Sequence, residues 1–187
     1  MALEMDIAAL LSEAELAVRE AGLLFNDREL AGHIHHKNKT DYVTEVDTGI
    51  QELLCRRLAE ILPDARFMGE EQDNSAIDWS RPLWILDPVD GTTNLIRALR
   101  HSAISLALSE AGRVVFGVVY NPYAGDLFTA VLGAGAKLNG RTIHVTAAAT
   151  LAECLVCAGT APGHREWTEL VFRDIRRIYE HGLDIRR

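Results

Sequence analysis

The chain has 187 residues, of which 48% are hydrophobic, and a formal charge of −8. This is enough apolar material for a packed core, and it excludes a disordered chain. The acidic balance, with no Lys/Arg run, excludes nonspecific nucleic-acid binding, in which basic side chains displace counterions from phosphates. It leaves room for a phosphorylated ligand whose charge a bound divalent cation offsets.

No uninterrupted apolar run approaches the roughly 20 residues that span a bilayer, so no membrane partner is expected. The first residues carry neither a basic stretch nor a following apolar one, as a secretory signal would. The cysteines, Cys55, Cys154 and Cys157, are odd in number. Together these features predict a cytoplasmic chain with reduced thiols.

In chain order, Ile7, Leu10, Leu11, Ala14, Val18, Ala21 and Phe25 repeat at helical spacing and predict a long amphipathic helix. Residues 32–41 break the pattern and read as a loop. A second helix follows, with Ile50, Leu53, Leu54, Leu58 and Ile61 on one face. Thr44 or Asp47 is its candidate N-cap, and Pro63 stops it. From Arg66 the period shortens. Arg66–Gly69 and Leu83–Asp87 predict buried strands that end in carboxylates. Ser102–Ser109, Val114–Tyr120 and Leu127–Val131 predict a meander. Asn139-Gly140 marks a two-residue hairpin. Leu155–Ala158 predicts a strand that buries Cys154 and Cys157, and Trp167 to Ile178 a final helix. Asp184 to Arg187 shows no clear element.

Four acidic positions stand out: Asp47, Glu70, Asp87 and Asp90. Pro88 fixes its own φ, so the chain turns sharply between Asp87 and Asp90 and aims both carboxylates at one place. The same turn exposes the Val89 carbonyl. Carboxylate oxygens, a carbonyl and waters are the ligands that Mg²⁺ takes. Gly91-Thr92-Thr93 follows, where a glycine allows close backbone approach and successive amides suit a phosphate. The plain alternative is an acidic turn in which Asp90 caps a short helix.

These stretches resemble the inositol monophosphatase family. The resemblance runs through Asp41-Tyr-Val-Thr-Glu-Val-Asp47, Phe67-Met-Gly-Glu-Glu71 and Trp84-Ile-Leu-Asp-Pro-Val-Asp-Gly-Thr-Thr-Asn94. It continues in Ala103-Ile-Ser-Leu-Ala-Leu108, Gly117-Val-Val-Tyr-Asn-Pro122 and Gly133-Ala-Gly-Ala-Lys-Leu-Asn-Gly140. It implies an α+β, layered sugar-phosphatase-like fold with a largely antiparallel sheet. It also implies Mg²⁺-dependent hydrolysis of a phosphate monoester, with inositol monophosphate first among substrates. Related sugar bisphosphates and nucleotide 3′-phosphates are the alternatives.

By the same resemblance, Glu70, Asp87 and the Val89 carbonyl would hold one Mg²⁺, and Asp87 with Asp90 a second. Thr92 with Glu70 would orient and deprotonate the attacking water, and Asp47 would support Thr92. The amides of Gly91 and Thr92 would take phosphate oxygens. Lys37 stands where the family often has a basic residue near the metals, with Lys39 as its rival and a solvated loop lysine as the plain alternative. A homodimer is common in the family. From Asn94-Leu95 onward the chain departs from the commoner pattern, with Arg100 where a proline often sits.

His33, His35 and His36 read as a solvated loop rather than a metal site. Cys154-Leu-Val-Cys157 lacks the second pair that a zinc ribbon needs. Family members continue beyond this chain with a Gly-Ser-Ala-Ala-Leu-Asp stretch and a Trp-Asp motif that completes the second metal. The expectation is therefore a single domain over 1–187, truncated before its C-terminal α/β part. Weak second-metal binding, an exposed apolar face and reduced turnover would follow. A non-catalytic form acting through partner binding is the alternative.

Overall fold

The computed structural model describes residues 6–36, 42–70, 73–75, 77–160 and 163–186. The chain divides into two compact units, the first ending at Ile143 and the second beginning at His144.

The first unit opens with helix α1 (Ile7–Ala21), whose N-terminus is capped by Asp6. A 3-10 turn (Gly22–Asn26) and the short helix α2 (Arg28–Gly32) follow. Ile34–His36 (β1) then pairs antiparallel with Tyr42–Thr44 (β2), where the sequence predicts a loop. Three residues are too few to show alternation, so this pairing left no periodic trace. Helix α3 (Glu45–Ile61) begins at Thr44, one of the two candidate N-caps.

Seven strands form one sheet in the order β3-β4-β5-β6-β7-β8-β9. They are Arg66–Gly69 (β3), Leu83–Asp90 (β4), Ala103–Glu110 (β5), Arg113–Asn121 (β6), Asp126–Val131 (β7), Gly135–Leu138 (β8) and Arg141–Ile143 (β9). Helix α4 (Thr92–Ile96) lies between β4 and β5. Only the β3–β4 pair is parallel; the other neighbours are antiparallel. Asn139 and Gly140 both take positive φ, 49° and 78°, as the tight turn between β8 and β9 requires.

Alternation sorts the sheet into two faces. Trp84 and Leu86 of β4 pair with Leu108 and Leu106 of β5, and these residues join the core with Val18 of α1 and Ile50, Leu54 and Leu58 of α3. Each such aliphatic side chain contributes roughly 1.5–3 kcal/mol on burial. Trp84 meets Phe116 edge to face at 5.7 Å. The intervening residues of β5 are small, Ala103, Ser105 and Ala107, and their partners on β4 include Asp90 and Asp87.

The second unit holds Leu155–Cys157 (β10), helix α5 (Thr168–His181) and Asp184–Arg186 (β11). β10 and β11 pair in parallel, so the segment from Asp184 is a strand, which the sequence did not show. The predicted burial of β10 is not found: Cys157 is exposed and Leu155 is 55% exposed. A two-stranded sheet has too little surface to cover both faces of its strands. Among the described residues, no helix is long and apolar enough to cross a membrane.

Candidate active site

The β4–β5 ladder changes register between Asp87 and Asp90. Asp87 pairs with Ser105 and Asp90 with Ala103, so three steps on β4 face two on β5. In a regular strand, residues three apart point to opposite faces. The one-residue bulge removes that difference and turns Asp87 and Asp90 to the same face. Pro88 and Val89 occupy the bulge, as expected of a residue that lacks a ladder donor.

Glu70 reaches this face from the other side of β4. The parallel register ends at Gly69 opposite Leu86, and the Glu70 amide donates to the Leu86 carbonyl at 3.2 Å. Glu70 thus falls beside Asp87. Burial, then the Glu70 charge and a hydrogen bond shared with Glu70, then the Asp90 charge, push the Asp87 carboxyl up to about 7. The Val89 amide, which donates to Asp87 Oδ1 at 3.1 Å, acts in the opposite direction. Among the described residues, no three Asp, Glu, His or Cys side chains converge as a ready-made metal cage. Burial and the neighbouring carboxylates favour the protonated form of Asp87 in the metal-free chain.

Asp47 enters from the first turn of α3. It is 2% exposed. Its Oδ2 accepts from the Thr44 amide at 2.8 Å and the Thr44 hydroxyl at 2.6 Å. This makes Asp47 the N3 partner of the Thr44 cap. Its Oδ1 accepts from the Thr92 hydroxyl at 3.0 Å. Burial raises the Asp47 carboxyl above its ordinary range, and these hydrogen bonds hold the rise down. The same Thr92 hydroxyl lies 3.1 Å from the Val89 carbonyl. A hydroxyl has one proton, so Thr92 divides it between a carboxylate and a carbonyl.

Gly91 joins the strand to α4 with φ 90° and ψ 43°. A Cβ there would sit 3.1 Å from the His101 carbonyl and 3.2 Å from Asn94 Nδ2, so a side chain at this position is strained both by space and by backbone angle. Two further contacts brace it. The buried Ser102 hydroxyl donates to the Gly91 carbonyl at 2.8 Å, and Asn94 Nδ2 donates to the His101 carbonyl at 2.7 Å. Beside them a cavity of about 180 Å³ is lined by Asp90, Gly91, Asn94, His101, Ser102 and Asn121, among others. Asp90 does not cap α4; that position belongs to Gly91, with no side-chain hydrogen bond.

Residues 6–181 match the profile of the inositol monophosphatase family. The chain belongs to that family. It is 40% identical over 128 residues to inositol monophosphatase 2 of Solanum lycopersicum, covering 66% of this chain and 48% of the relative. It is 33% identical over 158 residues to Nus factor SuhB of Xylella fastidiosa, covering 83% of this chain and 56% of the relative. The crystal structure of extragenic suppressor protein SuhB from Bartonella henselae superposes with a TM-score of 0.84 at 31% identity, covering 96% of this chain and 69% of that one. The chain therefore spans about half the length of the curated relatives it matches. The layered α+β fold with its mostly antiparallel sheet is that of the solved inositol monophosphatases.

Within this family member, Asp47, Thr92 and the Val89 carbonyl form one hydrogen-bonded chain, and Glu70, Asp87 and Asp90 share one electrostatic environment. Lys37 and Lys39 lie outside the described residues. His33 binds Glu45 at 2.8 Å in an exposed pair and is no part of this group. Sequence reasoning missed Ser102 and Asn94. A serine read as the first residue of a strand and an asparagine after a phosphate loop carry no signal until the chain has folded back on itself.

Proposed function

We propose that this chain carries the metal- and phosphate-handling part of a Mg²⁺-dependent phosphomonoesterase that hydrolyses inositol monophosphate to inositol and phosphate. The observation that carries the reading is the link from buried Asp47 through the Thr92 hydroxyl to the Val89 carbonyl, beside two aspartates turned to one face. The donor set fits the ion: three carboxylates and a carbonyl, all oxygen, with a raised Asp87 that a nearby cation would return to the ionised form.

Glu70, Asp87 and the Val89 carbonyl would hold one ion, and Asp87 with Asp90 a second. Bound Mg²⁺ would supply charge neutralisation and a lowered pKa for water. The chain's own groups do the rest. Asp47 fixes the rotamer of Thr92, so that the Thr92 oxygen keeps a lone pair for the attacking water. Glu70 takes the proton of that water. The amides of Gly91 and Thr92 hold phosphate oxygens, in a loop that Ser102 and Asn94 keep in place, with Lys37 as a further phosphate contact. The water attacks phosphorus in line as the ester oxygen leaves, so no phosphorylated side chain forms. The small phosphorylated sugar alcohol and a homodimer are part of the same reading.

A second reading, partner binding without turnover, is favoured by the SuhB relative, which is named a Nus factor. Calorimetric Mg²⁺ titration and phosphate release from inositol monophosphate separate the two. Metal binding that is weakened in Asp87→Asn, with release lost in Asp90→Asn, supports the phosphatase. No Mg²⁺ binding up to the tens of millimolar range would overturn it.

A further inference from the structure

A second cavity, of about 110 Å³, lies in the first unit against the last turn of α4, with Leu95 and Ala98 in its wall. Phe25 and Tyr123, packed edge to face at 5.7 Å, provide its aromatic lining. Arg28, Arg100 and Asn26 complete the polar lining, and among the described residues no carboxylate lines the cavity. In a chain with a formal charge of −8, an acid-free cavity with two guanidinium groups is a local reversal of sign. Among the described residues neither arginine has an ion-pair partner, whereas Arg57, Arg173, Arg176 and Arg186 each do. Asp27, next to Arg28, caps α2, its Oδ1 accepting from the amides of Glu29 and Leu30.

The backbone supports a purpose for Arg100. Ala98 and Arg100 both hold positive φ, 53° and 55°, on either side of Leu99. Each costs of order 1 kcal/mol for a residue with a side chain, and two so close persist only where the surroundings dictate them. The Arg100 charge also acts on the Tyr123 phenol, opposing the rise that burial causes. Arg100 thus lines the cavity from its exposed rim. Guanidinium forks match the two oxygens of a phosphate or carboxylate, and two of them with an asparagine amide supply donors without a competing acid.

We propose that this cavity is a binding site for a compact oxyanion, separate from the Glu70/Asp87/Asp90 group. Its volume admits one phosphate- or carboxylate-sized group. Leu95 and Ala98 follow Gly91 and Thr92 on the same short helix and turn, so an anion bound here contacts the far end of the element that begins with the phosphate loop. The proposal does not depend on the reaction proposed above.

The test is binding to the whole chain in EDTA, which removes divalent metals from the other site. Inorganic phosphate is titrated in one arm and acetate in the other, each followed by calorimetry. One saturable site for either anion is expected, weakened at least tenfold in Arg28→Gln/Arg100→Gln and severalfold in Arg100→Lys, which keeps the charge but not the fork. Arg100→Lys also decides the matter if the double variant does not fold. Saturation by phosphate alone assigns the site to a phosphoryl group, and by acetate as well to carboxylates. No saturable binding in EDTA, or equal binding by Arg100→Lys and the double variant, overturns the proposal. Phosphate binding that survives both but is lost in Gly91→Ala, whose Cβ distorts the amide loop, would place the anion at the Gly91–Thr92 loop. That outcome sinks this inference and leaves the phosphatase reading standing.

Discussion

Replacing Asp47 with alanine should destabilise the metal-free chain by about 3 kcal/mol. The carboxylate accepts three hydrogen bonds, at 2.8, 2.6 and 3.0 Å, and is almost fully buried. Bonds to an ionised partner contribute roughly 1.5–3 kcal/mol each, which puts the gross loss at about 4.5 kcal/mol or more. Burial opposes the charge, as the upward shift of the group shows, and this offsets part of that sum. For a chain of this size about 3 kcal/mol corresponds to a fall in Tm of roughly 6–12 °C. Asp47→Asn should lose about half as much. Its amide oxygen can still accept from Thr44, while its NH₂ faces the Thr92 oxygen and sends the Thr92 proton to Val89. Thermal unfolding by circular dichroism in EDTA measures both, and a cycle with Thr92→Val isolates the shared bond. The reasoning fails if Asp47→Ala shifts Tm by less than about 2 °C, or if the two sites prove additive.

Three further outcomes follow from the same geometry. Asp87 stands near 7 in the folded chain against 3.8 when unperturbed, so its contribution to stability is complete below 3.8 and is lost as pH rises through about 7. The metal-free chain should accordingly melt at lower temperature at pH 8 than at pH 5, and Mg²⁺ should restore more at pH 8; a flat profile by scanning calorimetry would count against the raised Asp87 carboxyl. Gly91→Ala should cost of order 1–2 kcal/mol, because its Cβ meets the His101 carbonyl at 3.1 Å with φ at 90°; denaturant midpoints within error of the parent would refute it. Ser102→Ala removes the brace on the Gly91 carbonyl and should lower stability by about 1 kcal/mol while weakening phosphate retention more than Mg²⁺ binding; paired calorimetric titrations check that order.

Much of the first unit was legible because its elements are long enough to show a period. α1 and α3 repeat their apolar residues over 15 and 17 residues, and Thr44, one of the two candidate N-caps, is the cap of α3. The Asn139-Gly140 turn was legible because few residue pairs accept two positive φ angles. β1 and β11 were not, since three residues hold no periodicity and each exists only through its partner strand. The buried setting expected for Cys154 and Cys157 failed for a related reason: an apolar run reveals the tendency to be covered, not the presence of a cover. At the site, the Asp87 and Asp90 spacing pointed to a common target, but the means was a register shift that only the ladder reveals. The Thr92–Asp47 bond joins residues 45 apart, and only the family resemblance anticipated it.

The bulge in β4 places the geometry of this stretch in the count of residues rather than in their identity. Side chains at 88 and 89 can change, within the limits of space, and Asp87 and Asp90 still emerge on one face. Loss of a single residue between them would make the ladder regular and leave the aspartates two positions apart, still on one face, but without the bulge in which the Val89 carbonyl meets the Thr92 hydroxyl. The extra residue therefore serves the carbonyl between the aspartates rather than the facing of the aspartates themselves.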